Sequence, residues 1–147
     1  MTDCCFVTAR LATGGCIHSR AEAQALNGLG ITHIVNTQAE FDDAIFLAGL
    51  GFGYLYNPTD DDGKAKDMAW FARTLNFVLP ALAIPHCKVY IHCGAGINRG
   101  PSSAYAVLRA LGLSPAIAEQ LIRAGRPQVG LAYKRDADLA VRSLGYE

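Results

Sequence analysis

Cys93 and Arg99 stand at the two ends of a short stretch, Cys93-Gly94-Ala95-Gly96-Ile97-Asn98-Arg99, and their types point to one kind of chemistry. A thiolate attacks best where nearby positive charge or a helix N-terminus favours the ionised sulfur. A guanidinium presents a fork that matches two oxygens of a phosphate. Gly94 and Gly96 let the backbone turn so that its N–H groups converge on one oxyanion. His92, immediately before the cysteine, is placed to donate a hydrogen bond that helps fix the loop. The combination describes a nucleophilic sulfur attacking a bound phosphoryl group. The competing explanation is a buried structural cysteine with an unrelated surface arginine, because this spacing also recurs by chance.

Such a loop needs elements on both sides. Residues Lys88 to Ile91 read as a short buried strand, and Ala104, Val107, Leu108 and Leu111 form the apolar stripe of a helix over 102–111. A strand that passes through a tight loop into a helix N-terminus makes an anion site, because unpaired N–H groups and the helix dipole face the loop. The reaction also needs a proton for the departing oxygen, which a carboxyl facing the thiolate supplies. Asn57-Pro58-Thr59-Asp60-Asp61-Asp62-Gly63 offers one, between a strand at Phe52 to Tyr56 and a long amphipathic helix over 66–83. Asp60, Asp61 and Asp62 are all candidates on residue type, and a merely solvated turn is the alternative.

The remaining segments supply the scaffold. Phe6 to Ala12 reads as a first strand or hairpin that turns at Gly14-Gly15. Ser19 with Glu22 makes a capping box for a helix carrying Ala21, Ala25, Leu26 and Leu29. The run Ile31-Thr32-His33-Ile34-Val35 is a strand, with His33 a strand-surface or core residue rather than a ligand. A short helix is expected over 41–50, with Asp42 and Asp43 in its first turn as helix-start residues rather than an acid pair. Pro80 interrupts or ends the long helix. Ser114-Pro115 is a cap and first-turn proline, leading a helix through Ala124, and a last helix runs over 133–144. The expected fold is α/β, a twisted, largely parallel central sheet with helices on both faces.

With 147 residues, 51% of them hydrophobic and 18% charged, the chain can bury a core as a single domain over 1–147. Its formal net charge of +0 gives no global field to attract nucleic acid or an anionic membrane, so anion recognition must be local. The N-terminal residues lack the basic and apolar regions of a signal peptide, and no apolar run is long enough to span a bilayer. Five cysteines without zinc-ligand spacing suit a reducing cytoplasm.

The His92-Cys93-x-x-Gly96-x-x-Arg99 pattern resembles the His-Cys-x5-Arg signature of cysteine-dependent phosphatases, specifically the small dual-specificity branch. Ile31 to Asn36, and the segment from Leu113-Ser114 to Arg126-Pro127 with its terminal helix, extend the resemblance over nearly the whole chain. It implies Cys93 as nucleophile and Arg99 as phosphate clamp. The backbone of Gly94, Ala95, Gly96, Ile97, Asn98 and Arg99 would cradle the phosphate, with His92 supporting the loop. The family pattern Tyr-x3-Pro-x-x-Asp, counted from Tyr54 and Pro58, selects Asp61 as general acid and then base. The resemblance implies a monomer that acts on phosphotyrosine and phosphoserine or phosphothreonine in proteins, with no metal or organic cofactor. Relatives also raise Cys87 or Cys5 as a disulfide partner for Cys93 under oxidation.

One position departs from the family. Gly100 stands where most members carry a Ser or Thr that helps sulfur leave, so Ser102 or Ser103 must supply the hydroxyl or the second step slows. The Gly100-Pro101 pair also resembles glucan phosphatases, which raises a phosphorylated carbohydrate as an alternative substrate. A phosphate-binding pseudophosphatase without turnover is the rival from outside the enzymes.

Overall fold

The computed structural model describes residues 2–147; Met1, the first residue of the stretch read for a signal peptide, lies outside them. Five strands form one sheet in the order β1-β2-β5-β3-β4. They are β1 Cys4–Phe6, β2 Leu11–Gly14, β3 His33–Gln38, β4 Gly53–Thr59 and β5 Val89–His92. β1 and β2 make an antiparallel hairpin, and every other pairing is parallel, with β5 between β2 and β3. The α/β expectation holds.

Side-chain alternation along the central strands sorts residues to two faces. Ala12, Ile34 and Tyr90 pack with Ala23, Leu26 and Leu47, beneath α1 (Arg20–Gly28) and α2 (Ala44–Leu47). Leu11, Val35 and Ile91 pack on the other face with α3 (Met68–Leu82), α4 (Arg99–Ala110), α5 (Pro115–Gly125) and α6 (Lys134–Ser143). No helix of the described residues is long and apolar enough to cross a membrane.

Local signals explain most boundaries. Ser19 Oγ accepts from Glu22 N, while Glu22 reaches His18 N at 2.7 Å rather than closing the box on Ser19. Ser114 Oγ caps α5 through Ile117 N. Pro80 lies inside the last turn of α3 and does not break it. β4 runs on through Asn57 and Pro58 to Thr59, residues read as loop, β3 is shifted to His33–Gln38, and further boundaries differ from expectation. The first strand and turn resolve into two strands, with Gly14 paired inside β2. α2 is one turn long, because the backbone leaves helical geometry at Ala48 and Gly49 takes φ +75°. α4 begins at Arg99, not Ser102: Pro101 falls in the first turn, where its missing N–H has no helical partner to lose.

Because β2, β5, β3 and β4 run in one direction, the loops leaving their C-terminal ends meet at one edge. That edge is where ligands of open parallel sheets collect.

Candidate active site

The loop from Cys93 to Asn98 leaves β5 at the centre of this edge. None of the N–H groups of residues 94–98 donates to another protein group among the described residues. Their neighbouring carbonyls are all held from outside. Cys16 N donates to Gly94 O at 2.9 Å. Arg126 donates from Nη2 to Ala95 O at 3.0 Å and from Nε to Gly96 O at 2.7 Å. Gly130 N and Leu131 N donate to Ile97 O at 2.9 and 3.2 Å. In a planar trans peptide the C=O and the following N–H point opposite ways. Tying down these four carbonyls therefore turns the N–H groups of Ala95, Gly96, Ile97 and Asn98 toward the space the loop encloses.

Gly96 makes this path possible. Its φ is +71°, and a Cβ there would come within 2.5 Å of both Arg126 Nη2 and the Gly14 carbonyl carbon. Arg126 is 2% exposed and is fixed in turn by Asp3, which accepts from Nη1 at 2.6 Å and Nη2 at 2.8 Å. Those hydrogen bonds hold the Asp3 carboxyl below its ordinary pKa, against the opposing effect of burial.

His92 supports the loop from beneath. Its Nδ1 lies 3.2 Å from Cys93 O and its Nε2 2.5 Å from Asp43 Oδ2, with both side chains buried. Each ring nitrogen thus faces an oxygen of a neighbouring group. Tyr90 stacks on the ring at 5.3 Å. Asp43 does start α2, as its N-cap residue, but its side chain does not cap the helix. The Asp42 carboxylate accepts from Ala44 N at 3.1 Å, while the Asp43 side chain turns inward to the histidine.

Arg99 is 4% exposed and opens α4. Its Nη1 and Nη2 donate to the two Glu40 carboxylate oxygens at 2.7 and 2.9 Å, and Nη1 also reaches Thr59 O at 3.0 Å. Nε is buried with no partner among the described residues, so one edge of the fork is held and the other is free. Arg99 in turn keeps the Glu40 carboxyl below its usual value. Sequence reasoning missed Glu40, Asp43 and Arg126, because each pairs with a residue far away in the chain.

The three aspartates after β4 have different surroundings. Asp61 Oδ1 accepts from the Tyr133 hydroxyl at 2.7 Å, and Asn98 Nδ2 lies 3.4 Å from Oδ2. Asp62 is drawn away to Lys66 Nζ at 2.9 Å, and the same ammonium donates to the Asp60 carbonyl at 2.6 Å. Of the triplet, Asp61 is the carboxylate in contact with the Cys93 loop. Tyr133, its pKa raised by burial and then by Asp61, also accepts from Gly63 N at 3.1 Å and so ties the acidic loop at two points.

At Gly100 an added Cβ would stand 3.0 Å from the His92 backbone and 3.1 Å from Cys93 N, so α4 packs more closely than a side chain there would permit without a shift. Ser102 Oγ is taken by Tyr133 N at 3.2 Å, whereas the buried Ser103 hydroxyl has no partner among the described residues. All five cysteines are free. Cys87 precedes β5 and Cys93 follows it, so roughly 13 Å or more of strand separates them, beyond disulfide reach without rearrangement. Cys5 Sγ accepts from Arg126 Nη1 at 3.4 Å. The cysteine whose backbone touches the loop is Cys16, not either of those two.

Comparison with known proteins places the chain in one family. The sequence model described as "Dual specificity phosphatase, catalytic domain" matches residues 16–131. Dual specificity protein phosphatase 2 of Mus musculus is 32% identical over 98 residues, 67% of this chain and 29% of that protein. Dual specificity protein phosphatase 13B of Homo sapiens is 30% identical over 99 residues, 64% of this chain and 50% of that protein. The chain thus spans half or less of these relatives' length. In fold it is similar to the crystal structure of Tk-PTP in the active form. The TM-score is 0.77 at 19% identity, over 97% of this chain and 95% of the other.

Proposed function

This chain belongs to the dual specificity phosphatase catalytic-domain family, and from that premise we propose that it hydrolyses phosphate monoesters in proteins through a phosphocysteine intermediate. Cys93 attacks phosphorus in line with the leaving oxygen: the S–P bond forms, the P–O bond breaks, and Asp61 gives its proton to the departing alcohol. Asp61, now a carboxylate, then takes a proton from water as that water attacks phosphorus. The S–P bond breaks, and inorganic phosphate and free thiolate result. The N–H groups of residues 94–98 and the free edge of Arg99 hold the phosphoryl oxygens as charge moves between them.

The observation that carries this reading is the set of N–H donors left without protein partners beside a buried thiol and a half-held arginine. The reaction as written needs no metal or organic cofactor. Phosphotyrosine and phosphoserine or phosphothreonine proteins are the proposed substrates. Residues 1–147 act as one monomeric catalytic domain, and a reducing cytoplasm suits the free thiol.

Hydrolysis of a generic aryl phosphate in EDTA and reductant tests this. Wild type turns over; Cys93→Ser abolishes turnover; Asp61→Asn lowers kcat by about a hundredfold or more, within the range for a lost general acid. A well-folded wild type without turnover contradicts the reading and leaves phosphate binding alone. Unchanged kcat in Asp61→Asn moves the acid role to another residue.

A further inference from the structure

A cavity of about 200 Å³ adjoins the Cys93 loop, lined by Cys16, Ile17, His18, Gln38, Phe41 and Phe46. The mechanism above uses none of these side chains. Its nearness to the loop rests on two contacts. Cys16 N donates to Gly94 O, and Gln38 Oε1 lies 3.9 Å from where a Gly94 Cβ would sit. Glu40, two residues after Gln38, holds the Arg99 fork.

We propose that this cavity binds an aromatic side chain flanking the phosphorylated residue of a protein substrate. The inference rests on the phosphatase reading and adds a sequence preference to it. Phe41 and Phe46 stack with centroids 5.2 Å apart, and Phe41 is 41% exposed, so its ring has open surface for a third. The volume suits one ring, since a cavity of about 150 Å³ with apolar walls accepts benzene. Gln38 is 3% exposed, yet its Nε2 is a buried donor with no partner among the described residues. Such a donor is costly without an acceptor, and an occupant of the cavity that shifts the Gln38 side chain would supply one from a peptide carbonyl or tyrosine hydroxyl.

The ring is a neighbour's rather than the leaving group's. Asp61 must face the leaving oxygen, and it is held by Tyr133 and Asn98, which lead into α6 and α4. The cavity lies between the segments leading into α1 and α2, on the opposite face of the sheet. A peptide crossing the edge places its phosphate in the loop, its ester oxygen toward Asp61 and its flanking side chain toward Phe41.

Phosphopeptides that carry phenylalanine, leucine or alanine on either side of the phosphorylated residue test this, with kcat/KM for each. Phenylalanine on one side is expected to exceed alanine about tenfold, mostly through KM. Phe41→Ala collapses that ratio toward one, and Phe41→Tyr restores it. Equal rates for all three peptides, or leucine serving as well as phenylalanine, overturn the proposal. Turnover of a small aryl phosphate runs alongside: if it proceeds while the peptide ratio is one, only the cavity assignment fails, and if it is absent, the phosphatase reading fails.

Discussion

The loop after β5 and the loop after β4 carry the two halves of the proposed reaction, and they are built in opposite ways. The Cys93 loop is held by buried groups: Arg126, itself pinned to Asp3, and His92, pinned to Asp43. The Asp60–Asp62 loop is exposed, and its side-chain fastenings are a tyrosine hydroxyl, the Asn98 amide and one lysine. The difference follows from what each must do. Donors that stabilise developing charge work best when they need no reorganisation at the moment of reaction. A group that must give a proton to an arriving substrate and later take one from water gains from standing where both can reach it.

The contrast breaks most sharply at Arg126. Arg126→Met is expected to free the Ala95 and Gly96 carbonyls, lowering kcat/KM by about a hundredfold or more and stability by about 3 kcal/mol, read by kinetics and denaturant unfolding. Asp43→Asn changes the group that faces His92 Nε2 while keeping the shape. It should cost about 2–3 kcal/mol, with a loss of activity smaller than that of Arg126→Met.

On the acidic loop both effects are smaller. Tyr133→Phe deletes the hydroxyl that holds Asp61 and Gly63; kcat should fall several-fold and stability by about 1 kcal/mol, and losses as large as those of Arg126→Met would erase the distinction. The smallest effect is at Asp3. Arg126 lowers its pKa in the folded protein from an ordinary value of 3.8, so its stabilisation is complete above that value and is lost as pH falls through the lower folded value. The Tm gap between wild type and Asp3→Asn should therefore be a few degrees at pH 7 and close progressively below about pH 4. A gap that widens on acidification contradicts the pairing.

Much of the scaffold was legible because its signals are local. The β-branched run Ile31 to Val35, the Ser19 and Ser114 caps and the stripe of α4 each lie within a few residues of what they determine. The Cys93–Arg99 spacing was legible for the same reason. What was not legible depends on distance along the chain. Nothing near Asp43 distinguishes it from Asp42; His92, 49 positions away, does so once β3 and β5 pair. Arg126 follows the expected helix with nothing local to give it a role, and it meets Asp3 across 123 positions. Glu40 sits in a polar turn whose purpose appears only when Arg99 arrives beside it. The loss of a turn from α2 rests on Gly49, which the pattern of apolar residues passed over.

The central claim is that Cys93 takes the phosphoryl group within a prearranged loop, and that Gly100 leaves the second step without the usual hydroxyl. Rapid-quench kinetics with an aryl phosphate, followed by mass spectrometry of the quenched protein, tests this most directly. The account predicts a burst of alcohol release approaching one equivalent per protein, with one phosphoryl group on Cys93. Turnover that is linear from the first cycle, with no phosphoryl group on Cys93 or with one on another residue, would contradict it.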